Sequence, residues 1–156
     1  MRNLLILITF CISISAFSAD YRTGDAELDR WLVNIDFVNQ KDPDQAIAKL
    51  SKEFNVDVEL IMPWRSQYEL SVAQITAAVV ANQVLEGDLE ATLKHFSKTP
   101  VKRYKQMFAE IGLPDFSDQF KQFRAAIAKR APKKDLEAES RNIFNKDNEL
   151  GKPKQN

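Results

Sequence analysis

The stretch Ser71–Glu86, SVAQITAAVVANQVLE, decides the fold. No charged residue lies between Glu69 and Glu86. On a helix, Val72, Ile75, Val79, Val80, Val84 and Leu85 cover most of the circumference, and Ala73, Ala77 and Ala81 form a thin ridge at i, i+4 spacing. A helix that is apolar nearly all round is a buried one. This one is shorter than the roughly 20 apolar residues a membrane span needs. It therefore predicts a central core helix. Ser71 and Gln74 form a capping box at its start, Leu70 is placed to staple it, and Gly87 is placed to stop it.

The flanking segments supply helices to cover that axis. Upstream, Thr23 or Asp25 caps a first helix whose stripe is Leu28, Trp31, Leu32, Ile35 and Val38. Asp42-Pro43-Asp44 restarts a second helix, with Ala46, Ile47, Leu50 and Phe54 inside and Asn55 as a left-handed stop. Asp57 to about Trp64 reads as a short third helix, ended or kinked by Pro63 and the run Arg65-Ser66-Gln67. Downstream, Asp88 caps a helix lined by Leu89, Leu93 and Phe96. Thr99-Pro100 repeats the cap-plus-proline start ahead of Val101, Tyr104, Met107, Phe108 and Ile111, with Gly112 as the stop. Ser117 caps a last helix containing Phe120, Phe123, Ala126 and Ile127. No segment shows strand alternation. The expectation is an all-α, compact bundle of about six short helices around a buried central helix.

The chain ends read differently from this body. Met1-Arg2-Asn3, the apolar run Leu4–Ile14 and the small-residue region Ser15–Ala19 have the pattern of a secretory signal peptide, residues 1–18, with cleavage expected after Ser18. The helical domain is then 19–130, and 131–156 is a polar tail expected to be mostly disordered, with a transient helix at 135–145. The only cysteine, Cys11, lies in the leader, so the mature chain carries no thiol and must be held by apolar packing. Export to the periplasm or medium is the expected localisation, with no transmembrane segment in the mature chain.

Charge excludes one large class of partner. Residues 20–128 hold 13 Lys and Arg against 17 Asp and Glu, and residues 129–156 hold 8 against 5. Neither half has the basic stripe of a nucleic-acid binder. Catalytic signals are equally thin. The one histidine, His95, has no second histidine at i+3 or i+4, and it reads as a surface or edge residue. Asp25, Glu27, Asp29 and Asp36 on the first helix read as solvated or dipole-favourable charges. No calcium loop, phosphate-cradling glycine loop or other cofactor motif occurs, so no catalytic residue, metal ligand or cofactor is expected.

Two features stand above this background as candidate binding residues. Lys94, Lys98, Lys102, Arg103 and Lys105 place five cations and no acid in 12 residues, across the Thr99-Pro100 helix start, where backbone N–H groups favour an anion. The alternative is a solvated face. Trp64, Arg65 and Tyr68 lie in a connection and have the composition of an interface anchor, whereas Trp31 fits a core stripe.

The run Thr23-Gly24-Asp25-Ala26-Glu27-Leu28-Asp29 resembles the mature N-terminus of a group of small exported bacterial proteins of unknown function. The back half is similar too. Tyr104 falls where that group has a tryptophan, Ile111-Gly112-Leu113 stands for its Leu-Gly-Ile, Ser117 and Phe120 match a serine-capped helix with its phenylalanine, and Phe123 falls on a leucine. Arg103 and Lys105 replace flanking glycines, Thr99-Pro100 stands in a glycine-rich turn, and Lys121 stands where a histidine usually follows the phenylalanine. The resemblance spans roughly residues 23–123. It implies the helical fold and export, and it brings no activity, cofactor or site.

The function expected from these readings is a non-catalytic interaction or binding module of the bacterial envelope, whose partner is an envelope protein or an anionic ligand. The alternatives are an enzyme acting on an envelope polymer through carboxylates, and an anionic-ligand or membrane-surface binder using residues 94–105.

Overall fold

The computed structural model describes residues 20–133, and every regular element among them is helical. The predicted leader and most of the predicted tail lie outside the described residues. Seven α-helices follow one another: α1 Ala26–Asn39, α2 Pro43–Phe54, α3 Val58–Ser66, α4 Val72–Leu85, α5 Leu89–Lys98, α6 Tyr104–Glu110 and α7 Asp118–Ala128. A single 3₁₀ turn, Val101–Arg103, leads into α6.

Helix α4 is the axis that its sequence predicts. It packs against α1, α2, α3, α5 and α7. Ala73, Ala77 and Ala81 have no exposed surface, and small side chains on that ridge let the surrounding helices approach closely. Both halves of the capping box form: Ser71 Oγ accepts from the Gln74 N–H at 3.1 Å, and Gln74 Oε1 accepts from the Ser71 N–H at 2.8 Å. The one hydroxyl inside the buried face, on Thr76, donates to the Val72 carbonyl at 2.7 Å and so needs no outside partner.

The other caps follow the sequence with instructive exceptions. Asp25, Asp42, Asp57, Asp88 and Ser117 each cap the helix they precede. Asn55 takes the left-handed conformation predicted for it. Gly112 does likewise at φ +101°, and Leu113 N–H then reaches the Phe108 carbonyl at 2.7 Å, completing a Schellman motif. At the end of α4, however, Glu86 and not Gly87 turns left-handed. The Gly87 N–H bonds the Asn82 carbonyl at 3.2 Å, so the reversal falls one residue early.

Two predicted boundaries shift. The end of α3, expected at about Trp64, falls at Ser66, inside the Arg65-Ser66-Gln67 run expected with Pro63 to stop it; Pro63 itself does not end the helix, and the continuation carries Trp64 onto the buried face beside Ile61. Burying an indole outweighs the single hydrogen bond a proline forgoes. Thr99 does not cap α6. It ends α5, and α6 starts at Tyr104 with no capping side chain. The N-terminal segment serves instead: the Arg22 carbonyl accepts from the Lys105 N–H at 3.0 Å, and the Arg22 N–H donates to the Val101 carbonyl at 3.2 Å. This tie replaces a local cap by a partner remote in sequence.

A line of rings fills the space between α4, α5, α6 and α7. Tyr21, Tyr104, Phe96 and Phe108 follow one another at centroid spacings of 5.3–6.0 Å, and Phe108 continues to Phe123 at 5.1 Å and Phe120 at 6.3 Å. Most of these contacts are edge-on or tilted, the geometry the ring quadrupoles favour. Val38, expected in the α1 stripe, is 43 % exposed in the last turn of that helix.

Candidate functional site

The structure separates the two predicted sets of binding residues and adds a third group of polar side chains. The basic span does not converge. Lys98 and Arg103 line a shallow concavity of about 110 Å³ together with Thr99, Pro100, Gln106, Met107 and Glu110. The Arg103 guanidinium donates to Gln106 Oε1 at 2.8 Å, and Gln106 Nε2 donates to Glu110 Oε1 at 2.8 Å. A carboxylate thus shares the concavity and works against a small anion there. Lys105 turns the other way. Its side chain crosses Gly24, and its ammonium pairs with Asp115 at 3.0 Å. Lys102 is exposed and belongs to neither. The helix-start argument also fails, since Thr99-Pro100 opens a 3₁₀ turn and not α6.

The aromatic candidates divide as well, and the two tryptophans exchange roles. Trp64, expected on a surface connection, is buried inside α3. Trp31, expected in the core, is half-buried, and its outer face is covered by the Arg124 guanidinium 4.7 Å from the ring centroid. Arg124 is held there by Asp25, at 2.5 Å, and by Glu27. Burial alone would raise the Asp25 pKa. The bonds from the Leu28 N–H, Arg124 and the Glu27 N–H outweigh it and lower the pKa below the usual range. Tyr68 is 54 % exposed and stacks on Trp64, with centroids 4.6 Å apart and planes 25° apart. Arg65 lies beneath this corner, donating to the Leu70 carbonyl at 3.4 Å and standing 3.8 Å from Asp44. Leu60, on the same helix, is 40 % exposed. The corner is therefore a partly exposed ring braced from behind by a buried one.

The third group was not legible as a group. Asp36 leaves α1 toward the start of α4, where its carboxylate accepts from the Ala73 N–H and the Tyr21 hydroxyl, at 2.8 and 2.7 Å. The Tyr21 hydroxyl also lies 2.9 Å from Ser71 Oγ, and Gln74 Nε2 donates to the Tyr104 hydroxyl at 2.7 Å. Asp36 was expected on a solvated face. It borders the Leu28-Leu32-Ile35 stripe by one position, and only the approach of α4 turns that border inward. Burial raises the Asp36 pKa, against the lowering effect of the bonds from Ala73, Tyr21 and Ser71 and of the Arg65 charge. Burial likewise raises the pKa of Tyr21 and of Tyr104.

A pH profile should display the sign of this arrangement. A raised folded-state pKa means that the folded chain binds the proton more tightly than the unfolded chain. The contribution of Asp36 to stability is therefore fully present below its unfolded pKa and is lost as pH rises through its folded pKa. Asp36→Asn keeps an acceptor for the Ala73 N–H and removes the buried charge. It is expected to melt at or above the wild-type temperature at pH 7, with that difference shrinking as pH falls. A melting point well below wild type at neutral pH would show that the charge itself holds the cluster. Asp25, whose pKa is lowered, should tilt the profile the opposite way.

Among the described residues, no three His, Cys, Asp or Glu side chains come together to hold a metal ion, and no helix is long and apolar enough to cross a membrane. His95 is exposed on α5. No protein-family model matches the chain, and neither the curated proteins nor the solved structures give a match.

Proposed function

We propose that this protein is a non-catalytic interaction module, exported to the bacterial envelope, whose α3–α4 corner docks a protein partner. The observation that carries this reading is the Tyr68 ring, more than half exposed yet stacked at 4.6 Å on buried Trp64. A tyrosine already held in place loses little conformational entropy on binding and presents both apolar area and a hydroxyl, which is how interface anchors work. The leader-like N-terminus and the similarity to small exported proteins support the envelope assignment.

A photo-reactive residue at position 68, compared with one at exposed Gln119, provides the test. Crosslinking of an envelope protein from 68 and not from 119 is expected. Tyr68→Ala should weaken capture of that protein by about 2 kcal/mol, roughly 30-fold, while changing the melting temperature little. Equal labelling from both positions, or capture indifferent to Tyr68→Ala, would refute the assignment.

A further inference from the structure

At two places in the molecule one arginine covers an aromatic ring and binds a carboxylate near it in the chain. At the end of α2, the Arg130 guanidinium lies 4.4 Å from the centre of the Phe54 ring and bonds Glu53, the residue just before it. On α1, the Arg124 guanidinium lies over Trp31 and bonds Asp25 and Glu27. A guanidinium suits both partners at once, because its plane stacks on the negative face of the ring while its edge donates to the carboxylate.

Tyr68-Glu69 repeats the pairing of ring and acid without the arginine. One face of the Tyr68 ring is stacked on Trp64, so the surface that leaves it 54 % exposed belongs to the opposite face and the hydroxyl edge. Among the described residues no cation lies over that ring. Glu69 is exposed and forms no ion pair among them. Arg65, the cation nearest in sequence, is turned to the Leu70 carbonyl and to Asp44. The pair is also fixed. Glu69 takes a left-handed backbone at φ +55°, and the Leu70 N–H beyond it bonds the Trp64 carbonyl at 3.3 Å. A ring braced from behind, next to a closed turn, loses little freedom when a ligand group arrives.

We infer that the Tyr68 corner receives an arginine side chain of its protein partner, with the guanidinium over the outer face of Tyr68 and bonded to Glu69. The inference rests on the reading of that corner as a docking surface and adds the chemistry of the partner. The net charge agrees with it: residues 20–128 hold 17 acids against 13 bases, so the domain attracts a cationic segment. Arginine fits better than lysine because only a planar cation stacks on the ring and reaches the acid with the same group, as Arg124 and Arg130 do.

Nuclear magnetic resonance of the full chain tests this, with the Tyr68 ring and Trp64 indole signals as the readout. The probes are a short peptide of glycine, leucine and arginine and the same peptide with citrulline, the uncharged isostere, in place of arginine. Saturable shifts at Tyr68 are expected with the arginine peptide, and binding about fivefold weaker with the citrulline peptide. Glu69→Gln should weaken the arginine peptide about threefold, and Tyr68→Leu about fivefold, whereas Tyr68→Phe keeps the ring and should stay within about twofold of wild type. Melting of the Glu69→Gln and Tyr68→Phe variants should match wild type. Absence of shifts at Tyr68, or equal affinity for the two peptides, would overturn the inference, and so would binding indifferent to Glu69→Gln. Tyr68 signals of the peptide-free chain that move on Arg141→Gln would seat the one arginine of residues 131–156 on the ring and overturn an external partner. Equal affinity for the two peptides removes the arginine alone; failure of photo-crosslinking from position 68 removes the docking surface itself.

Discussion

Ala77→Glu should abolish the cooperative melting transition. Ala77 has no exposed surface and lies at the middle of the alanine ridge of α4, which five helices surround. A glutamate there must find room where one methyl stood, a cost of about 1–3 kcal/mol for overpacking. Its charge would lose water without a partner, at a cost of several kcal/mol more. A domain of this size holds about 5–15 kcal/mol of net stability, so the sum matches or exceeds the lower part of that range. The control is Ala77→Gly, which costs about 1 kcal/mol in helix propensity and should keep a cooperative transition at lower temperature. Circular dichroism of both variants against temperature decides the matter. A glutamate variant with wild-type helicity and melting would show that α4 is not the buried axis.

Phe108→Ala should cost about 3–5 kcal/mol, the second-largest loss expected from a single side chain. The Phe108 ring is 1 % exposed and touches Phe96 of α5, Tyr104 of α6, and Phe120 and Phe123 of α7. Removing it opens a cavity at the point where three helices meet, and none of the neighbouring rings can collapse into it without leaving its own contacts. At about 4–8 °C per kcal/mol for a small domain, the melting point should fall by about 12 °C or more. Phe108→Leu refills most of the volume and should cost no more than about 1.5 kcal/mol. If the alanine variant melts within a few degrees of wild type, α6 is not part of the cooperative core, and the ring line does not join α5 to α7.

The two positions differ in how they can be recognised. Ala77 announces itself, because a charge-free helix has no face left for water. The importance of Phe108 rests on which other rings meet it, and ring partners 12 to 15 residues away are not written in a period. The same distinction explains the misplaced expectations. Trp31 lies in the stripe of α1 and Trp64 near the end of α3, and which of them is covered depends on where α7 and α4 pass. Pro63 reads as a breaker, yet the helix passes through it because the far side of that turn gains a buried indole. Thr99-Pro100 has the form of a helix start, but the α6 start is completed by the carbonyl of Arg22, some eighty residues earlier. The five cations of 94–105 read as one site because the chain runs through them consecutively; folding sends Lys105 to Asp115 and leaves Arg103 with Gln106.

The sequence by itself determined the all-helical class, the identity of the buried axis and most of the helix ends. Those features depend on period and capping, interactions reaching no more than a few residues along the chain. Only the tertiary structure decided which aromatic rings are covered, which cations stand unpaired, and that Asp36 lies against the head of α4. These depend on the approach of elements distant in sequence, and local pattern does not encode that approach. It is also the tertiary structure that leaves Tyr68 more than half exposed against buried Trp64, and so supplies the surface proposed to bind.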